Sequence, residues 1–134
     1  MLMLTCTCHC GAVIWTYQNE PKSVTVCNCS IHASTRVRWI YGTEQEDVHG
    51  NGAARAYVRA YQGALELHHS LVCGKTISCR SAQPKTKGKT AIAVNFRLAD
   101  AQDDVIGYPI RHFDGRHACK EQPGDHRTAK EIWF

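Results

Sequence analysis

The chain has 134 residues, of which 43% are hydrophobic and 21% are charged, and its formal net charge is +4 with neutral histidine. This length suits one domain, and the composition excludes wholesale disorder. No apolar run approaches the roughly 20 residues of a membrane-spanning helix, the start of the chain lacks the features of a signal peptide, and the charge is too small to predict nucleic-acid binding. We therefore expect a cytoplasmic protein without membrane contacts.

Short runs of branched and aromatic residues, separated by turns, predict a mainly β domain. The predicted strands cover residues 12–17, 23–26, 37–41, 56–61, 65–68, 76–79, 91–98 and 108–113. A short helix is predicted over residues 30–38 with Ser30 as its N-cap. The segments predicted as loops are 42–54 and 81–89, with a turn or short helical loop over 100–104.

The last part of the chain has a different character from the rest. Residues 1–122 are predicted to form the domain, and residues 123–134 are predicted to form a C-terminal tail. The tail ends in the apolar sequence Ile132-Trp133-Phe134, which either docks on the domain or joins a partner. The oligomeric state is left open.

The sulfur and imidazole content is unusual for so short a chain, with eight cysteines and eight histidines. Three Cys-x-Cys pairs occur (Cys6/Cys8, Cys8/Cys10 and Cys27/Cys29), whereas a random distribution would give about half a pair. Such close neighbours suit a disulfide badly, but they can converge on one ion. Zinc is the expected ion because it prefers tetrahedral sites of thiolate and imidazole.

The first candidate site combines Cys8 and Cys10 with Cys73. Glycine follows Cys10 and Cys73, which allows the tight backbone turn of a metal-binding knuckle. The fourth ligand remains open. Ser70 occupies the position where a second thiol of the later knuckle would fall, and the neighbouring His69 is the alternative, with Cys6 as a third. Without a metal, Cys73 would be a buried thiol and His69 a surface residue.

The second candidate site lies within residues 27–32, where Cys27, Cys29 and His32 offer three ligands. Three protein ligands and a vacancy are typical of a catalytic zinc site. A remote fourth ligand such as His49 or Cys79 would instead make this a structural site.

The remaining ligand types are predicted to be background. Cys6 and Cys79 lie among strand residues and are expected to be small buried hydrophobes. Near the C-terminus, Cys119, His117 and His126 are expected to be surface or packing residues. A basic run of Lys85, Lys87 and Lys89 is interpreted as a solvated loop.

Taken together, these motifs resemble the glutathione-dependent formaldehyde-activating enzyme family, also called the centromere-protein-V/GFA domain. The matching segments are residues 8–13, 27–30, 68–74, 93–97 and 112–117, so that the resemblance spans about residues 5–117. It implies a compact, Mss4-like zinc-binding β fold with one or two zinc ions per chain. Carried over by position, Cys8, Cys10 and Cys73 match ligands of a structural zinc, and Cys27 and Cys29 match ligands of a reactive zinc.

Two positions depart from the family pattern. Ser70 stands where a structural cysteine is expected, which implies that the first zinc is weaker, uses His69 or is absent. His32 stands where the third cysteine of the reactive zinc is expected. Since histidine is a competent ligand, the second site can survive with less negative charge, which makes its zinc a stronger Lewis acid.

The resemblance implies a carbon–sulfur lyase-type enzyme similar to S-(hydroxymethyl)glutathione synthase. Its catalytic centre would be the open zinc site of Cys27, Cys29 and His32. The expected substrate is a small thiol such as glutathione or its aldehyde adduct. The alternative function is a non-catalytic, zinc-stabilised module that binds protein or nucleic acid.

Two further roles remain open at the level of sequence. No general base stands out among the histidines, and the candidates of equal standing are His49, His68 and His69. A substrate pocket next to the second site can be lined by Arg36, Arg38, Trp39 and Tyr41, although core packing explains the aromatic residues equally well.

Overall fold

The computed structural model describes residues 3–58, 65–81, 90–118 and 120–132. The strands are β1 (Met3–Thr7), β2 (Ile14–Gln18), β3 (Val24–Cys27), β4 (Trp39–Thr43), β5 (Val48–Asn51), β6 (Ala54–Val58), β7 (Leu65–Ser70), β8 (Thr76–Ser81), β9 (Ala91–Asn95), β10 (Ile110–Asp114) and β11 (Lys120–Glu121). One short α-helix, α1 (Ser30–Thr35), and 3₁₀ turns at Phe96–Leu98, Gln102–Asp104 and Ala129–Ile132 complete the described elements.

The strands form two sheets, which confirms the predicted mainly β fold. The small sheet has the order β1-β2-β5, and the large sheet has the order β11-β10-β3-β4-β9-β8-β7-β6. All named strand pairs are antiparallel except β3 and β10, which run parallel. This parallel pair brings Phe113 level with Cys27, and so carries the end of β10 to the second candidate site.

The main hydrophobic core lies between the two sheets. Trp15 and Tyr17 of the small sheet belong to the same buried cluster as Ile40 and Val94 of the large sheet. In β1 and β2 buried and accessible residues alternate, as expected for strands with one face on the core. The small sheet therefore covers one face of the large sheet.

A second, smaller hydrophobic cluster occupies the opposite face of the large sheet. It contains Trp39 and Ala93, which directly precede Ile40 and Val94 and so point to the other side. Ile31 of α1 packs against this cluster. The helix thus sits on the sheet face that the small sheet leaves uncovered, and it carries His32 there.

The structure differs from the sequence prediction in the segment 42–54, which was predicted as a loop. This segment contains β5, which pairs with β2 and completes the small sheet. Val48 is the one buried residue of β5, so the strand is held mainly by backbone hydrogen bonds and has no hydrophobic alternation to reveal it. The prediction also had no counterpart for β11, and it indicated β1 only by placing Cys6 among strand residues.

Two predicted element ends are also shifted. The N-cap of α1 is Cys29 instead of Ser30, and the helix ends at Thr35 because Arg36 adopts a left-handed conformation with φ 55°. The strand predicted over 91–98 ends at Asn95, whose side chain accepts a hydrogen bond from Arg97 N and starts a 3₁₀ turn.

Part of the predicted tail packs on the domain. Ala129 is fully buried in the main core, and its N–H donates to the carbonyl oxygen of Tyr108. Arg38 donates to the carbonyl oxygen of Ile132 at 3.1 Å. The boundary at residue 122 stays a prediction. The predictions for residues 59–61, Lys85, Lys87, Lys89, Cys119, Trp133 and Phe134 concern positions outside the described residues.

Within the described ranges, no helix is long and apolar enough to span a membrane.

Candidate metal centres

The first cluster of ligand side chains is built by two facing turns. One turn follows β1 and is closed by a hydrogen bond from Gly11 N to the Cys8 carbonyl oxygen at 2.9 Å. The other follows β7 and is closed from Gly74 N to the Ser70 carbonyl oxygen at 3.1 Å. Gly11 and Gly74 have φ values of 82° and 73°, in the left-handed region that favours glycine. Gly11 and Gly74 thus allow the tight turns that the sequence predicted at these two positions.

These turns bring three sulfur atoms together. The Sγ atoms of Cys8, Cys10 and Cys73 all lie within 4.8 Å of one another, and Cys8 Sγ is 3.5 Å from Cys10 Sγ. Zn–S bonds of about 2.3 Å in a tetrahedral site place sulfur atoms roughly 3.8 Å apart. The donor set and its spacing therefore fit a tetrahedral thiolate site.

Ser70 rather than His69 faces the thiols of this cluster. The Ser70 side chain is buried, and its Oγ lies 3.7 Å from Cys10 Sγ. His69 is not among the residues whose ligand atoms gather there. Neighbouring residues of a strand point to opposite faces, which explains why only one of the two faces the thiols. Cys6, the third alternative, is instead fully buried in the main core.

Hydrogen bonds favour the ionised thiols that a metal requires. The backbone N–H of Lys75 is the largest influence on Cys73, and with the bonds from Ser70 and Cys10 it lowers the pKa of Cys73 to about 6. Burial acts to raise the pKa of Cys8, but hydrogen bonds from Val13 N, at 3.3 Å, and from its polar neighbours bring that pKa below its usual value. Metal binding needs deprotonated cysteine, so this environment favours it.

The second cluster lies where β3 ends and α1 begins. The ligand atoms of Cys27, Cys29 and His32 all lie within 4.8 Å of one another. The amide of Cys29 donates to Cys27 Sγ at 3.5 Å, and the amide of His32 donates to Cys29 Sγ at 3.4 Å. The N-cap geometry of α1 thus aims Cys29 and His32 at the same point, as the spacing predicted.

The turn after β10 holds this second cluster from the side. Asn28 N donates to the carbonyl oxygen of Phe113, and Asn28 Nδ2 donates to Asp114 Oδ1 at 3.0 Å. In return, Arg116 N donates to Asn28 Oδ1 at 3.0 Å. Gly115 in the same turn lies directly against Cys27 and Cys29. Sequence reasoning missed these supporting residues, although the family-like segment 112–117 included the turn.

Aromatic and thiol side chains surround the second cluster on the face of the large sheet that the small sheet leaves uncovered. The His32 ring meets the edge of Trp39 with centroids 5.4 Å apart, and Trp39 is fully buried. Cys79 is buried as predicted. Burial, and then the charges of Cys29 and Cys27, raise the pKa of Cys79 to about 11. Trp39 therefore packs against the candidate ligand His32 and does not line an open pocket.

Tyr41 and Arg111 form a more accessible border to the same region. Tyr41 is 50% exposed, and desolvation of its hydroxyl together with the nearby thiols of Cys79 and Cys27 raises its pKa to about 12. The guanidinium carbon of Arg111 lies 5.9 Å from the centroid of the Tyr41 ring. Both residues line a cleft of about 460 Å³. Of the predicted pocket residues, Tyr41 borders this cleft.

The histidines considered as general bases lie elsewhere. His49 is exposed on β5 of the small sheet. His68 Nε2 is 3.6 Å from Glu66 Oε2, and His69 lines a cleft beside the first cluster. Within the described part of the chain, no further Cys, His, Asp or Glu joins either group of three, so His49 and Cys79 do not complete the second one.

Comparisons with known proteins add a family and a fold. A family model described as glutathione-dependent formaldehyde-activating enzyme matches residues 3–109, which is more than half of the chain. A solved structure of a protein from Rhodobacter sphaeroides, a structural-genomics target, is similar with a TM-score of 0.60 at 18% identity. The alignment covers 79% of this chain and 98% of that one, and at this identity it shows the fold alone. No curated protein matches the chain.

Proposed function

The chain belongs to the glutathione-dependent formaldehyde-activating enzyme family, and we propose that it is a zinc-dependent carbon–sulfur lyase-type enzyme. The proposed reaction resembles that of S-(hydroxymethyl)glutathione synthase and acts on a small thiol, such as glutathione, and its aldehyde adduct. The proposed reactive centre consists of Cys27, Cys29 and His32. The observation that carries this proposal is their convergence within 4.8 Å with no fourth ligand residue from the described chain.

The donor set supports zinc as the metal of this centre. Two thiols and an imidazole are ligands that zinc prefers, and three protein ligands leave a coordination position for a substrate. When bound, zinc would supply Lewis acidity at that position and lower the pKa of a coordinated thiol. Because a histidine binds a metal as neutral imidazole, the two thiolates would balance the charge of the ion.

The proposed reaction forms or breaks one carbon–sulfur bond and moves one proton between the thiol and the carbonyl oxygen. In the direction of synthesis, the thiol sulfur bonds to the aldehyde carbon, and the proton that leaves the thiol ends on the carbonyl oxygen. In the reverse direction the carbon–sulfur bond breaks and the same proton returns. The protein contributes by holding the reactants in a fixed orientation.

Residues at the border of the second cluster suit such a substrate. Arg111 carries a guanidinium group, which binds carboxylates with two parallel hydrogen bonds, and glutathione carries two carboxylates. A tyrosine hydroxyl is protonated at neutral pH, and the raised pKa of Tyr41, about 12, keeps it protonated in alkaline solution as well. Tyr41 Oη is therefore available as a hydrogen-bond donor to an aldehyde oxygen. We propose that both residues contact the substrate.

The proposal is tested by following exchange between glutathione, formaldehyde and their adduct at equilibrium by exchange NMR spectroscopy. We expect the wild-type protein to accelerate exchange and His32→Ala to abolish the acceleration and one equivalent of bound zinc, with an unchanged circular dichroism spectrum. His49→Ala, an exposed histidine in the small sheet, is the matched control and should retain both.

The possible outcomes separate the two functions. Acceleration that persists unchanged in His32→Ala would overturn the assignment of the second cluster. A wild-type protein that binds zinc at both clusters and does not accelerate exchange would favour the non-catalytic binding module instead.

A further inference from the structure

The hydroxyl of Ser70 is engaged by the backbone of its own turn. Ser70 Oγ accepts hydrogen bonds from Val72 N at 3.2 Å and from Cys73 N at 3.3 Å. A hydroxyl oxygen has two acceptor lone pairs and one donor, so these two amides occupy both lone pairs. Cys10 Sγ lies 3.7 Å from the same hydroxyl oxygen.

This arrangement removes Ser70 from the set of metal ligands. An oxygen whose two lone pairs are occupied has none to offer an ion, and a serine hydroxyl does not ionise readily. Ser70 is 1% exposed, and giving up the two amide hydrogen bonds would remove the contacts that hold its turn. Ser70 therefore preserves the shape of the knuckle without supplying its fourth ligand.

The first cluster borders a cleft on the protein surface through Cys73. A cleft of about 350 Å³ is lined by Arg55, His69 and the turn of residues 70–74. Cys10 is exposed, and Cys73 is half-buried. Arg55 is exposed on β6 directly opposite His69 in the strand register, so a positive charge stands at the entrance.

From this geometry we infer that the cluster of Cys8, Cys10 and Cys73 is an open, three-thiolate metal site that takes a small external thiolate as its fourth ligand. The cationic entrance favours an anionic thiol, and thiolate is the ligand type that completes a tetrahedral zinc site. On binding, the external thiol would release its proton to solvent, and its sulfur would supply the fourth donor atom. The chain would then hold two exchangeable metal positions on different parts of the fold.

Cobalt replaces zinc in a coloured form and reports the number of thiolates through its sulfur-to-metal charge-transfer band. The cobalt-loaded protein is titrated with 2-mercaptoethanol and, separately, with glutathione. Each external thiolate that binds cobalt adds one increment to the charge-transfer band. We expect two such increments in the wild-type protein, one from each cluster. Before titration, the cobalt-loaded Ser70→Cys variant should show the charge-transfer intensity of one extra thiolate, and during titration it should show one increment fewer. Zinc in this variant should pass to a chelator at least about tenfold more slowly than in the wild-type protein.

Two variants control this experiment. Ser23→Cys adds a thiol in a loop away from the first cluster and should behave like the wild-type protein. Ser70→Ala removes the hydroxyl without adding a ligand, and should retain the initial charge-transfer intensity and both increments because Ser70 is not a ligand. This second variant decides the question if Ser70→Cys fails to fold.

The inference is overturned if Ser70→Cys retains both increments, if Ser70→Ala loses an increment, or if the first cluster binds no metal. Failure of the proposed function can be distinguished from failure of this inference, because the proposed function concerns the second cluster, whose increment His32→Ala removes. If the wild-type protein lacks only the increment of the second cluster, the second site is closed and the first remains open.

Discussion

Gly115 lies directly against Cys27, and the contact leaves no room for a side chain. A Cβ atom at Gly115 would stand 2.9 Å from Cys27 Sγ and 3.0 Å from Cys29 Cβ. The close approach follows from the parallel pairing of β3 with β10, which sets Phe113 opposite Cys27 and leads the chain over the cluster. Glycine at this position therefore fixes how closely the turn can cover the proposed reactive centre.

We expect Gly115→Ala to displace the cysteine side chains and weaken zinc binding at the second cluster about 10–100-fold. The overpacking should also lower the free energy of unfolding by about 1–3 kcal/mol. Competition with a chromophoric chelator and urea denaturation measure the two effects. Gly107→Ala is the matched control, because a Cβ there meets nothing within 4 Å. Equal zinc affinity in the two variants would mean that the turn does not support the centre.

The second cluster illustrates what the sequence predicts well. Cys27, Cys29 and His32 are neighbours in the chain, so a turn into a helix is enough to bring them together. Asn28 and Asp114 lie 86 residues apart, and nothing local indicates that a parallel strand pair joins them. Long-range pairing of this kind depends on the whole topology, which is why the supporting turn could not be predicted.

The first cluster shows a different limit. Spacing and glycine positions grouped Cys8, Cys10 and Cys73, whose side chains the structure brings together, but they left the choice between His69 and Ser70 open. Strand direction decides it in the structure, and the amide hydrogen bonds of Ser70 then decide what its hydroxyl can do. Sequence identifies the residue type, whereas its function as a ligand depends on hydrogen bonds that only the fold defines.

A buried asparagine connects the surroundings of the two clusters. Asn95 Oδ1 accepts hydrogen bonds from Arg38 N and Arg97 N, and its Nδ2 donates to the carbonyl oxygen of Thr76 at 3.0 Å. We expect Asn95→Ala to lower the free energy of unfolding by about 2–4 kcal/mol, because it leaves buried backbone groups unpaired. Urea denaturation measures the loss. Asn51→Ala, an exposed position on β5, should change stability little, and an equally small loss at Asn95 would contradict this role.

An exposed ion pair near the C-terminus predicts a pH effect. Hydrogen bonds from the Arg127 side chain and backbone hold the pKa of Asp125 well below its usual range. A depressed pKa stabilises the folded state above the unfolded-state value of about 3.9, and this contribution is lost as the pH falls toward the folded-state value.

Asp125→Asn should therefore be less stable than the wild-type protein at neutral pH, and the difference should shrink below about pH 4. Denaturation at several pH values measures it, with the exposed Asp103→Asn as the matched control. A difference that stays constant across this range would refute the electrostatic origin.

The border of the second cluster provides the kinetic test of substrate recognition. Arg111 lies over the Tyr41 ring at 5.9 Å and also contacts Glu121, so its guanidinium group is positioned before any substrate arrives. Since a hydrogen bond to a charged group contributes about 1.5–3 kcal/mol, Arg111→Ala should raise KM for the glutathione adduct about 10–100-fold. The KM of Arg111→Lys should lie between those of the wild-type protein and Arg111→Ala, because lysine keeps the charge but loses the paired donors.

The split between kinetic constants separates recognition from folding. If Arg111 contacts the substrate carboxylate without taking part in bond breaking, kcat should remain near the wild-type value while KM rises. Lys130→Ala removes an exposed positive charge from the C-terminal 3₁₀ turn and should leave both constants unchanged. A variant Arg111→Ala that loses kcat and retains KM would place this residue in the chemical step and rule out a role confined to binding.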